Sequence, residues 1–143
     1  MDLFTIGYEG ATLAEVIARL KAAGVAQVVD VRAIAASRRA GFSKTILGES
    51  LRAEGISYLH LRDLGTPKAG RDAARKGDVA TMHAIFNDHM HEPGAEAAFQ
   101  QLRHEAGVKR VALMCFEAEA CGCHRAILAD RLAREDGATV IDL

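Results

Sequence analysis

Five residues in one short stretch carry the most chemistry in the chain: Cys115, Glu117, Cys123, His124 and Arg125. Cys115 closes an apolar run, residues 111–114, that reads as a buried strand, and Cys123-His124-Arg125 stand where the next helix begins. A thiol between a strand end, a helix amino-terminus and a guanidinium is held towards the thiolate, its reactive form. Glu117, two residues beyond Cys115, points to the same side if the strand continues and is a candidate general acid or base. His124 beside Arg125 is placed to orient a catalytic partner or hold an anion. Each has a plainer reading. A cysteine continuing a strand is a common packing residue, a carboxylate there could cap the helix, and an imidazole and a guanidinium could decorate its surface. Glu119 reads as solvated.

Cys115, Cys121, Cys123 and His124 also contain enough soft donors for zinc or iron. The C-x-C-H spacing is not the C-x-x-C pair of the strong pattern, and no second pair lies elsewhere. Metal is therefore the minority reading, and no cofactor is expected.

A second group follows the second strand. Asp30 and Arg32 alternate, so they point the same way at a strand end, and Ser37, Arg38 and Arg39 come next as a cationic rim. An internal ion pair between Asp30 and Arg32 is the simpler account. Gly7-Tyr8-Glu9-Gly10 lacks the third glycine of a phosphate-binding fingerprint, though it could bring Tyr8 to the cleft. His83, His89 and His91 are not spaced to aim at one ion and read as a solvated face.

The elements that must position these groups follow from periodicity and breakers. Strands are expected at residues 3–6, 25–31, 56–61, 111–115 and 138–143. Thr12 caps a helix with Leu13, Val16, Ile17 and Leu20 inward, which Gly24 ends. Ser43 caps a second helix with Ile46, Leu47 and Leu51 inward, stopped by Gly55. Residues 62–78 are polar and partly basic and read as a surface loop with some helix. Helices follow at 79–91, 95–106 and 125–135, the first broken by Pro93-Gly94. The expected fold is α/β: a three-layer α/β/α arrangement, a mainly parallel sheet of about five strands, and a helical excursion between strands three and four. In such folds ligands sit at strand carboxyl ends, where helix amino-termini favour anions.

With 143 residues, half of them hydrophobic, the chain is expected to be one α/β domain, residues 1–143, with a core needing no staples. Eighteen basic and nineteen acidic residues give a net charge of -1, which argues against a long nucleic-acid footprint and leaves room for one small anion. No apolar run approaches a membrane span and no basic-then-apolar leader is present, so no membrane partner and a cytoplasmic location are expected. Three cysteines crowded together make a poor disulfide framework. Oligomeric state is not written in these features.

TIGYEG at 5–10, DVR at 30–32 with SR at 37–38 and GFSK at 41–44, YLHLRDLGTPKAGRD at 58–72, and CFE with CHR at 115–117 and 123–125 resemble domain-of-unknown-function family four-eight-eight. The resemblance spans nearly the whole chain and implies a compact α/β domain, with no established reaction. Ala35 and Ala40 stand where the family pattern usually has proline, leaving the loop with Arg38 less restrained. Cys121 is not part of the motif. A more distant similarity is to rhodanese-like domains, but Cys115 and Arg125 are too far apart for a short anion cradle, so neither persulfide nor phosphoryl chemistry carries over intact.

The reading these residues favour is a thiol-dependent transferase or hydrolase acting on a small anionic substrate containing phosphate or sulfur. Cys115 or Cys123 would be the nucleophile, Glu117 or His124 the proton carrier, and Arg32, Arg38 and Arg125, with Asp30, Ser37 and Tyr8, the binding groups. The alternatives are a non-catalytic module binding nucleotide or nucleic-acid phosphate through the same arginines, and a structural metal site in the cysteine loop. All require the loops after the second and fourth strands to share a pocket.

Overall fold

The computed structural model describes residues 1–143. Five strands, β1 (Asp2–Gly7), β2 (Gln27–Asp30), β3 (Ser57–His60), β4 (Val111–Cys115) and β5 (Thr139–Asp142), form one sheet in the order β3-β2-β4-β1-β5. All neighbours run parallel. The helices are α1 (Leu13–Ala22), α2 (Lys44–Ala53), α3 (Lys68–Arg75), α4 (Val79–His89), α5 (Pro93–Val108) and α6 (Arg125–Asp136).

Two apolar clusters, one on each face of the sheet, make the three layers. Val16, Leu20, Leu47 and Leu51 of α1 and α2 pack with Phe4, Ile6, Val28, Ala112 and Met114. On the other face Met82, Phe86, Phe99, Leu102, Leu128 and Leu132 of α4, α5 and α6 meet Leu3, Val29, Val111 and Leu113. Alternation assigns adjacent residues of β4 to opposite faces, so every side chain from Val111 to Cys115 is buried. Each fully buried aliphatic there contributes about 1.5–3 kcal/mol.

Local chemistry explains most of the boundaries. Thr12 Oγ1 accepts the Glu15 N–H at the start of α1, and Gly24, at φ +69°, supplies the left-handed turn after it. Four details differ from expectation. Pro93 begins α5 instead of merely separating two helices, because the first helical position needs no N–H donor. Ile46 is exposed, since Leu47 and Leu51 already fill the sheet-facing side of α2. Ser43 stands at the head of α2 but uses its hydroxyl on Ser37, taking no helix N–H. Residues 62–78 are more ordered than a surface loop: a 3-10 turn (Arg62–Leu64) buries Leu64, and α3 buries Ala73.

The sheet order positions the site. The chain leaves β1 and β2 towards the face carrying α1 and α2, and leaves β4 towards the opposite face carrying α6. β4 lies between β1 and β2, so neighbouring loops diverge at its carboxyl end and open a crevice there.

Candidate active site at the carboxyl ends of β1, β2 and β4

A cavity of about 580 Å³ occupies this crevice. Tyr8 and Glu9 come from the loop after β1, Arg32 and Ile34 from the loop after β2, and Cys115, Phe116, Glu117, Cys123 and His124 from the loop after β4. Arg71 and Arg75 of α3 and Met82 of α4 close the remaining wall. The loops from β2 and β4 thus share one pocket, with Arg32 and Cys115 both on its lining.

Close backbone approach builds the floor. Tyr8 and Glu9 donate their N–H groups to the carbonyls of Cys115 and Phe116, at 3.3 and 2.8 Å, and Glu9 Oε1 accepts the Ala118 N–H at 3.1 Å. A Cβ on Gly7 would lie 1.7 Å from the Glu117 carbonyl oxygen, so only glycine fits between β1 and this loop. Gly65 is equally constrained, its Cβ position lying 2.2 Å from the Ala33 backbone.

Two thiols meet one imidazole nitrogen. His124 Nε2 donates to the Val31 carbonyl at 2.7 Å, which leaves Nδ1 facing Cys123 Sγ at 3.6 Å and Cys115 Sγ at 3.8 Å. The three donor atoms lie within 4.8 Å of one another, a set able to hold a soft cation. Cys115 Sγ also donates to Glu117 Oε2 at 3.4 Å. Phe86 packs against the His124 ring, 5.0 Å between centroids, and completes its confinement.

Burial and charge separate the titrating groups. Burial opposes ionisation of Cys123, but its Cys115 neighbour, the His124 ring and Arg125 outweigh that and hold the thiol well below its usual value. The proximity of Cys123, then burial and the Glu117 charge, push Cys115 well above. Glu117 is raised by burial and by the Cys123 charge. For His124, burial disfavours the imidazolium, while Cys123 and the Val31 carbonyl favour it and prevail. The resulting arrangement sets a Cys123 thiol shifted towards its thiolate against an imidazole shifted towards its cation, with Cys115 and Glu117 both shifted towards their protonated forms.

Several groups expected to bind an anion hydrogen-bond within the scaffold or lie outside the cavity. Arg125 is buried beneath the loop, where Nη1 donates to the Glu117 carbonyl at 2.6 Å and Nη2 to that of Ala118 at 3.1 Å. It does not line the cavity. Asp30 is wholly buried behind Arg32 and paired with it, so the simpler account of that pair is the structural one. Burial opposes the Arg32 charge, but the Asp30 carboxylate overrides it and raises the guanidinium further. Arg38 is exposed and Ser37 Oγ accepts the Arg39 N–H; neither lines the cavity. The cationic wall is formed by Arg71 and Arg75, which sequence reading passed over. Their i, i+4 spacing was the available signal, hidden by reading residues 62–78 as a loop. His89, expected to be solvated, uses Nε2 on the Asp63 carbonyl, and His83 Nε2 is buried without a partner.

An all-parallel α/β protein whose switch-point cavity holds two thiols, an imidazole, a carboxyl group and an arginine pair is the class that fold and site define. Residues 12–132 match the family described as Domain of unknown function DUF488, and the chain belongs to that family. No curated protein and no solved structure matches it. No helix is long and apolar enough to cross a membrane.

Proposed function

We propose that the protein is a thiol-dependent enzyme, a transferase or hydrolase, acting on a small anionic substrate in this cavity. The observation that carries the reading is the position of His124: with Nε2 tied to Val31, Nδ1 faces two thiols on the cavity floor. Cys123 is the nucleophile, being nearer to Nδ1 and lying at the amino-terminus of α6. Its proton passes to Nδ1, Sγ forms a bond to the electrophilic centre of the substrate as the bond to the departing group breaks, and Nδ1 gives the proton to that group, with Glu117 taking the proton of the water or acceptor that follows. Water or an acceptor then releases the group from sulfur. Arg71 and Arg75 hold the anionic part of the substrate.

The test is alkylation of the reduced, metal-free native protein, mapped by mass. The expected result is rapid labelling of Cys123, slowed by inorganic phosphate or sulfate and absent in Cys123→Ser. Labelling of Cys115 and Cys123 only after denaturation would refute the enzyme reading. Anion binding that survives Cys123→Ser but is lost in Arg71→Ala, without native labelling, would favour a non-catalytic phosphate-binding module.

A further inference from the structure

We propose that Cys115 Sγ, Cys123 Sγ and His124 Nδ1 form a three-ligand site for a soft divalent cation, zinc above all, whose fourth position opens into the cavity. The inference goes beyond the thiol-enzyme reading and does not rest on it. A tetrahedral zinc with Zn–S about 2.3 Å and Zn–N about 2.0–2.1 Å requires sulfur–nitrogen edges of about 3.6 Å. The two edges here are 3.6 and 3.8 Å, and all three donors lie within 4.8 Å of one another. The third edge, between the two sulfurs, is about 3.8 Å in a tetrahedral site and at most 4.8 Å here, so the metal draws the thiols together by up to about 1 Å while the nitrogen edges already fit.

The surroundings fit the same use. His124 Nε2 donates to the Val31 carbonyl, the kind of outer partner that fixes the tautomer and aims the other ring nitrogen at a metal. All three ligands are buried, and two thiolates balance a divalent cation, so the filled site carries no net charge into the core. Glu117 Oε2, 3.4 Å from Cys115 Sγ, stands beside the ligand shell, where it could accept a proton from a water in the fourth position. The C-x-C-H spacing looked wrong for zinc because it contains only two of the donors. The third comes from the end of β4, and the loop between them folds back to bring it in.

Metal occupancy slows thiol attack, because coordination draws electron density from the sulfur. A filled site therefore protects the cysteines, and metal release exposes them.

The experiment reconstitutes reduced, chelator-treated protein with zinc, and separately with cobalt. The expected results are stoichiometric metal by elemental analysis and a cobalt spectrum with thiolate-to-metal charge transfer and intense tetrahedral d–d bands. Cys115→Ser and Cys123→Ser each weaken binding by about 100-fold or more, whereas Cys121→Ser, at an exposed position outside the cluster, leaves it unchanged. A second readout needs no variant: bound zinc shields Cys115 and Cys123 of the wild-type protein from alkylation while Cys121 reacts. Failure of the reduced protein to bind metal stoichiometrically, an octahedral cobalt spectrum without thiolate charge transfer, or equal loss in Cys121→Ser would overturn the site. Native labelling of Cys123 with no metal binding removes this inference and leaves the enzyme reading standing. Stoichiometric metal with no labelling of the stripped protein supports this inference and removes the enzyme reading.

Discussion

Arg32 Nη2 lies 2.7 Å from Asp30 Oδ2 at the end of β2, with both side chains almost wholly buried. The pair is a junction. Arg32 Nη1 donates to the Tyr8 hydroxyl at 3.1 Å and to the Phe42 carbonyl at 2.7 Å, and the Tyr58 hydroxyl donates to Asp30 Oδ2 at 2.6 Å. One guanidinium thus joins the loops after β1 and β2, while its carboxylate reaches β3. Asp30→Asn leaves a buried cation without its counter-ion and should lower stability by about 3–5 kcal/mol, measured by urea unfolding. The double variant D30N/R32M, which removes the charge as well, should recover part of the loss.

Arg125 acts on the cysteine loop from below. Arg125→Ala withdraws the donors from the buried carbonyls of Glu117 and Ala118 and should cost about 3 kcal/mol. Thermal unfolding reads the stability loss. Alkylation should also show the distinction between Cys115 and Cys123 narrowing as the loop loosens.

The arginine wall is tested by anion binding. Arg71→Ala and Arg75→Ala should each weaken inorganic phosphate or sulfate binding about tenfold, with a shallower dependence on salt. Arg38→Ala should leave binding unchanged, since that residue lies outside the cavity. Protection of Cys123 from alkylation provides a common readout for all three variants.

Gly7 allows β1 and the cysteine loop to touch. Gly7→Ala inserts a methyl group 1.7 Å from the Glu117 carbonyl and should cost about 3 kcal/mol or more, lowering the melting temperature and spoiling the site together. The same substitution at Gly122, where the space is open, should be mild.

Glu96 supplies a pH-dependent prediction away from the cavity. Arg131 and Gln100 donate to its carboxylate, holding it below the usual glutamate range, while Arg131 also stacks on Phe99 at 3.7 Å. A depressed carboxylate contributes stability above its unfolded pKa and loses it as pH falls through the folded one. The wild type should therefore be slightly more stable than Glu96→Gln at neutral pH, and the gap should close on acidification below about 4.3. High salt should narrow it as well, because the Glu96 side chain is partly open to solvent.

The α/β order was legible because each element carries its own period: the apolar run into Cys115, the stripe of α1, the glycine after it. Strand order was not, since nothing within β1 or β2 records that β4 separates them. The cysteine loop could be found because its reactive side chains are close in the chain. The arginine wall could not, because Arg71 and Arg75 project from a helix that buries little besides Gly70 and Ala73. Arg32 and Arg125 were located in the right corner, but their hydrogen-bond partners were not legible. A residue type tells that a guanidinium is present, whereas only packing tells which carbonyls have already claimed its hydrogens.

The central place of β4 also sets a timetable. As the chain leaves the ribosome, β1 and β2 appear first, yet the strand that will lie between them is still unmade, so their facing edges have no partner. The sheet closes and the pocket forms only when β4 slides into that slot, making assembly slow and non-local. A nascent chain stopped ahead of β4 therefore leaves the facing edges of β1 and β2 with unpaired backbone groups.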